Sequence, residues 1–149
     1  MASDSLGFVA LLSIRPQFAQ AIMDGEKKVE FRKVKFRRAV SHIVVYATDP
    51  VRQIVGYFEV AGLTQATPER LWRLYGSLGA IGRRDFRSYY CSSHRGTAIA
   101  VGRVCAFRKP LPLSDLGHAV RPPQSFAYIP ATAFAKMISK RPPGSEAAV

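Results

Sequence analysis

The chain has 149 residues, 48% of them hydrophobic and 21% charged, so it can bury a core and is not a disordered tail, a collagen-like repeat or a coiled coil. Twenty-two Lys and Arg against ten Asp and Glu leave a formal net charge of +12, which attracts polyanions such as nucleic acid or an anionic membrane surface. The longest apolar run, Phe8 to Leu12, is far below the roughly 20 residues of a spanning helix, and no basic n-region precedes it. With only Cys91 and Cys105 available, no disulfide scaffold is expected; the composition predicts a cytoplasmic protein with no membrane partner.

Residues 1–7 read as a flexible polar arm. Phe8 to Ile14 form a buried strand closed by Arg15-Pro16, and Pro16 suits the first helical position, where a missing N–H costs nothing. Phe18 with Ile22, and Ala19 with Met23, then recur four residues apart and predict a helix of about two turns, stopped by Gly25. From Lys28 to Phe36 the period becomes two, with Val29 and Phe31 on one face and Lys28, Glu30 and Arg32 on the other. Ile43 to Thr48 is apolar on both faces, as a central strand is, and ends at the turn pair Asp49-Pro50. Gln53 to Val60 alternates again.

Thr67-Pro68-Glu69 opens a helix with Thr67 as its cap, and Leu71, Tyr75 and Leu78 mark its apolar stripe. After a break over Gly79 to Gly82, a second short helix lies around Phe86, Tyr89 and Tyr90. Thr97 to Phe107 is the longest strand candidate; its small even positions, such as Ala98, Ala100 and Gly102, admit close packing against its backbone. Pro110 to Pro123 is loop-rich, with a candidate edge strand at Leu111 to Leu113, and Ala131 to Lys140 reads as a final helix with Phe134, Met137 and Ile138 inward. The expected organisation is one domain over residues 8–140 with a disordered tail over 141–149. Five or six strands around a helical insert suit an α+β fold, a small mixed barrel with helices at its rim.

The charge is concentrated. Lys27, Lys28, Arg32, Lys33, Lys35, Arg37 and Arg38 place seven basic residues in twelve, opposed only by Glu30. Such a run is either a solvated face or a phosphate-binding surface, and the flanking Phe31 and Phe36 favour the second. Glu30 either organises Lys27 and Arg32 as an ion pair or orients a water and accepts a proton. Arg83, Arg84 and Arg87, interleaved with the aromatics of the insert, are expected to widen the basic footprint. Cys91 and His94 are too few for a zinc site, and no glycine-rich nucleotide loop is present, so neither metal nor nucleotide cofactor is expected.

Gly25-Glu26-Lys27-Lys28-Val29-Glu30-Phe31-Arg32 resembles the G-x-K-x-x-E-x-R motif of ASCH domains, a branch of the PUA-like barrels. The likeness extends to Leu11 through Pro16, Val45 through Thr48, Ile54-Val55-Gly56 and Pro123 through Phe126, and so covers residues from about 8 to 130. It implies a PUA-like barrel with a cleft beside the first helix, lined by Lys27, Glu30 and Arg32, and an association with RNA, with nuclease activity in some standalone members. A related small branch hydrolyses acetylated cytidine with a Thr nucleophile where this chain has Glu30, and a carboxylate cannot take that hydroxyl's place.

The expected site joins Lys27, Glu30 and Arg32 as the catalytic group with Arg15, Lys28, Tyr46, Thr48, Gln124 and Ser125 as nucleic-acid contacts. Arg and Lys would hold phosphate, Tyr46 would stack on a base, and Ser125 and Gln124 would meet polar edges. The dull reading of Tyr46 is barrel packing, and that of Thr48 a turn. The functional expectation is binding of RNA or single-stranded nucleic acid in a cationic cleft with metal-independent ribonuclease activity. A small amidohydrolase acting on a modified nucleoside and a non-catalytic RNA-binding module are the alternatives; the sequence leaves oligomeric state open.

Overall fold

The computed structural model describes residues 7–117 and 120–139. The expected tail, and the expected arm apart from Gly7, lie outside the described residues. Among the described residues six strands form one sheet: β1 (Phe8–Ile14), β2 (Val29–Arg32), β3 (Val40–Ala47), β4 (Gln53–Ala66), β5 (Gly96–Leu111) and β6 (Phe126–Ile129). Four α-helices accompany them among the described residues: α1 (Pro16–Met23), α2 (Pro68–Tyr75), α3 (Arg83–Tyr89) and, after the last strand, α4 (Ala131–Ser139). The order across the sheet is β2-β5-β4-β3-β1-β6, and β1 pairs with β3 in parallel while every other pair is antiparallel. The fold is α+β, as its composition of strands and helices predicts. No helix among the described residues is long and apolar enough to cross a membrane.

β1 and β3 are buried on both faces, which is why they read as unbroken apolar runs. Ala10, Leu12 and Ile14 of β1 pack with Ile43 and Val45 of β3 and with Ala19, Ile22 and Met23 of α1. The alternate residues Val9, Leu11, Val44 and Tyr46 pack instead with Phe134 and Met137 of α4. A third cluster, Val29 and Phe31 of β2 with Leu71, Phe86 and Tyr90, seats the helical insert on the sheet. Thr67 caps α2 as expected, its hydroxyl accepting from the Arg70 N–H at 3.3 Å.

The sheet does not close through backbone hydrogen bonds; β2 and β6 are its two edges. Side chains span the gap instead. Arg32 at the end of β2 donates to the carbonyls of Ser13 on β1 and Ser125 just before β6. Farther along, the rings of Phe36 and Phe126 meet edge to face at 4.9 Å, and the Tyr128 hydroxyl accepts from the Arg37 and Arg38 N–H groups. The barrel expected from the sequence is thus a curled sheet whose seam is made by side chains and by the basic loop after β2.

Several boundaries differ from the sequence reading. The strand expected over Lys28 to Phe36 ends at Arg32, because residues 33–39 leave the ladder to cross the seam. β4 continues past Val60 to Ala66, and its pairing with β5 runs through three irregularities, two of them flanking Val60. The edge strand expected at Leu111 to Leu113 is the end of β5 followed by a 3₁₀ turn over Leu113–Leu116. β6 was not anticipated; Phe126–Ile129 is too short for its alternation to stand out.

Candidate functional site

The site grows from the end of α1. Gly25 adopts a left-handed φ of 82°, and the Ala21 carbonyl accepts from the N–H groups of both Glu26 and Lys27 at 2.9 Å. This tight turn overrides the strand parity that would have pointed Lys27 away from Glu30 and Arg32. The Lys27 ammonium donates to the Gly79 carbonyl, lies 3.6 Å from Glu30 Oε1, and sits over the ring of Phe18 at 4.9 Å. Glu30 Oε2 in turn accepts from Arg32 Nη1 at 3.1 Å. Arg32 Nη2 donates to both the carbonyl and the hydroxyl of Ser125 at 3.0 Å. A continuous chain of ionic and polar contacts therefore runs from the helical insert through β2 to the loop before β6.

These three residues are buried, with only 2% of Lys27, 6% of Glu30 and 8% of Arg32 exposed. Burial disfavours the ammonium and lowers the Lys27 pKa, while the adjacent Glu30 carboxylate pulls it partly back up. The period-two reading of β2 holds, yet both faces are covered: Val29 and Phe31 by the insert, Glu30 and Arg32 by the floor of a cleft.

That cleft has a volume of about 770 Å³. Its charged lining comprises five cations, Arg15, Lys27, Arg32, Lys33 and Arg52, against three carboxylates, Glu30, Asp49 and Asp85. Arg15, Lys33 and Arg52 are exposed, as are Asp49 and Asp85, so the rim sets three cations against two carboxylates above a floor of two cations and one carboxylate. Arg52 pairs with Asp49 at 3.2 Å in open solvent, where such a pair is readily exchanged for another anion.

The structure brings Lys27, Glu30, Arg32, Arg15, Tyr46, Thr48 and Gln124 to this one cleft. Lys28 is not among them. Although it shares the parity of Glu30 and Arg32, it precedes β2; its N–H donates to the Leu78 carbonyl and its side chain is exposed outside the cleft lining. Ser125 is close by, but its oxygens are engaged in holding Arg32 rather than displayed to a guest. Tyr46 lines the cleft with its ring packed beside Ile54 and Leu11, so it is a wall and not an open stacking surface. Thr48 both lines the cleft and shapes the turn, its carbonyl accepting from the Val51 N–H.

Sequence reasoning missed Phe18, Arg52, Asp85 and Tyr89, which also line the cleft. Asp85 and Tyr89 lie one turn apart on α3, a spacing that could have set them on one face. The Tyr89 hydroxyl accepts from the Lys33 N–H, and burial raises its pKa against the pull of Arg32. Phe86 and Tyr90 belong to the core as expected, and Arg83, Arg84 and Arg87 are exposed. Neither Cys91 nor Cys105 forms a disulfide, and no group of three metal-ligating side chains occurs among the described residues.

A family model describing the ASCH domain matches residues 12–98. An ASCH domain-containing ribonuclease of Zymomonas mobilis is 29% identical over 134 residues, covering 87% of this chain and 90% of that protein. The crystal structure of ASCH from Zymomonas mobilis aligns with a TM-score of 0.83 at 29% identity, over 90% of this chain and 96% of that one. The N-terminal domain of Staphylothermus marinus McrB aligns at 0.57 with 8% identity, over 89% of this chain and 93% of that one, a likeness of fold alone.

Proposed function

Because this chain belongs to the ASCH domain family, we propose that it binds single-stranded RNA in the cleft beside α1 and cleaves it there without a metal ion. The observation that carries this reading is the junction of Lys27, Glu30 and Arg32 at the floor of one cationic cleft. The ribonuclease named for the Zymomonas relative supports it. Arg15, Lys33 and Arg52 at the rim hold the phosphates that flank the reacting one, and Gln124 meets a base or sugar edge.

The 2′-hydroxyl of the bound nucleotide attacks its own 3′-phosphate, the 5′-oxygen of the next nucleotide leaves, and a cyclic phosphate remains. Burial makes the Lys27 ammonium easier to deprotonate, so in its neutral form, the minor partner of the resting ion pair with Glu30, Lys27 would take the 2′-hydroxyl proton, and Arg32 would stabilise the charge that develops on the phosphoryl oxygens. Glu30 orients both cations. The departing 5′-oxygen takes a proton from water. The expected domain over residues 8–140 would act in the cytoplasm, where an exposed thiol such as that of Cys91 stays reduced.

The test is incubation of labelled single-stranded RNA with the protein and a chelator. Fragments from the wild type and none from Lys27→Ala, with RNA still retained, are the expected outcome; undiminished cleavage by Lys27→Ala dismisses the site. A second reading, a non-catalytic RNA-binding module, is favoured by one observation: Lys27 is 2% exposed and already donates to Gly79. Retention of RNA without fragments from the wild type selects it.

A further inference from the structure

The basic run does not end at the cleft. Lys33 lies at the cleft wall, and the loop it opens crosses the seam of the sheet to Arg38. Lys33, Lys35, Arg37 and Arg38 are all exposed, and none has a carboxylate within ion-pair distance among the described residues. Four uncompensated cations along one crossing favour a polyanion that follows the same line.

At the far end of this loop stands a ladder of rings. Phe36 meets Phe126 at 4.9 Å, Phe126 meets Tyr128 at 5.2 Å, and Tyr128 meets Phe8 at 5.8 Å, each edge to face. The inner rung, Phe36, is buried, whereas Phe8 and Tyr128 are 46% and 37% exposed. The Arg38 guanidinium lies over the Phe8 ring at 5.1 Å, and the Arg37 and Arg38 N–H groups fix the Tyr128 hydroxyl at 2.9 and 3.2 Å. Two open aromatic rings are thus held in place by a rigid ladder and a guanidinium plane, and both kinds of surface stack nucleobases.

This platform is separate from the cleft, since none of its four rings lines it. Ser125, which touches Arg32, and Tyr128 are three residues apart on the strand β6 and its approach, a span of about 10 Å. A nucleoside filling the cleft does not cover that distance, whereas a chain of nucleotides laid along residues 33–38 does. Resting on the RNA-binding reading above, we infer that Phe8, Tyr128 and Arg38 form a base-stacking platform that receives a flanking nucleotide of a single-stranded substrate, and that this protein selects oligomeric RNA over isolated nucleotides or nucleosides.

Fluorescence anisotropy with a labelled single-stranded RNA of about 12 nucleotides, in the size range such surfaces cover, tests this on the full chain, with an unlabelled dinucleotide as competitor. Wild type should prefer the long RNA, and Phe8→Ala and Arg38→Gln should each weaken it about 5- to 100-fold while dinucleotide affinity stays unchanged. Phe8 projects from the surface and Arg38 is exposed, so both variants retain the core; far-UV circular dichroism checks this. Unchanged binding of the long RNA by both variants overturns the platform alone. Failure of the wild type to bind either RNA overturns the cleft reading and the platform with it. Sedimentation with anionic vesicles that Phe8→Ala abolishes, while RNA affinity stays intact, also overturns the platform, assigning this face to a lipid surface.

Discussion

Glu30→Gln separates the role of Glu30 as an organiser from a role as a base. In the wild type its two oxygens face two cations, Lys27 at 3.6 Å and Arg32 at 3.1 Å, and all three groups are withdrawn from solvent. The amide keeps the shape but removes the charge, leaving two buried cations without a counter-ion. Breaking a buried pair in this way typically destabilises by about 3–5 kcal/mol, a large fraction of the roughly 5–15 kcal/mol that holds a domain together. For a chain of this size each kcal/mol moves the midpoint by about 2–4 °C, so a fall of roughly 6–20 °C is expected. The loss should depend on pH. The Lys27 pKa is already lowered in the folded state, so between that value and the ordinary lysine value the unfolded chain binds more protons, and stability rises with pH. Without Glu30 to pull it back up, the folded value falls further and the rising limb of the curve starts at lower pH. Thermal unfolding followed by near-UV circular dichroism from neutral to mildly alkaline pH measures both effects. A midpoint within about 2 °C of wild type at neutral pH, with a parallel pH profile, would refute the idea that Glu30 neutralises two buried cations.

Arg32→Lys should destabilise by roughly 2–4 kcal/mol in urea unfolding, because a single ammonium cannot replace the fork that reaches Glu30, Ser13 and both oxygens of Ser125 across the seam. Gly79→Ala should lose about 1–3 kcal/mol and lower RNA cleavage together, since the added methyl collides with the Phe31 ring beside the carbonyl that holds Lys27; chemical unfolding and the cleavage assay read the two losses. RNA affinity should fall with salt at a log–log slope of about −2 for three rim phosphate contacts through Arg15, Lys33 and Arg52, and Arg52→Gln should reduce that slope by about 0.7 in titrations at several salt concentrations.

How much of this was legible depended on whether the signal was local. The ASCH motif from Gly25 to Arg32 was read from the sequence, and α1, the central strand β3 and the capped helix α2 announced themselves by period, turn residues and cap. The convergence of Lys27, Glu30 and Arg32 was anticipated as well, because Gly25 signalled a turn that could redirect Lys27. Their depth was not. A run of seven cations reads as a surface, and nothing in the neighbouring sequence reveals that Gly79 and Ser125, 52 and 93 residues away from Lys27 and Arg32, supply partners that allow burial. The same holds for Asp85 and Tyr89, which reach the cleft only because the insert folds back over β2, and for Arg52, which the turn between β3 and β4 carries to the rim. Lys28 was misplaced for the opposite reason: its parity with Glu30 and Arg32 suggested a shared face, but it lies before β2, where the backbone pairs with Leu78 of the insert and the strand alternation does not yet apply.

The division between floor and rim follows from the electrostatics. Two cations facing one carboxylate at the floor leave a single net positive charge, and the fixed contacts to Gly79, Ser13 and Ser125 hold it in place. A charge so placed cannot move to meet a ligand, but it acts through a low-dielectric surrounding and therefore strongly on a phosphoryl group brought against it. The rim cations are the converse: exposed and screened by salt, each contributes little to geometry, yet together they raise the local concentration of polyanion. Neutralising one rim residue should therefore weaken binding with little change in the turnover of bound RNA. A floor substitution that leaves the fold intact should slow turnover more than it weakens binding. If single-turnover rates at saturating protein fell as much for Arg52→Gln as for Lys27→Ala, the floor would hold no privileged position and the cleft would be only a basic surface that happens to be concave.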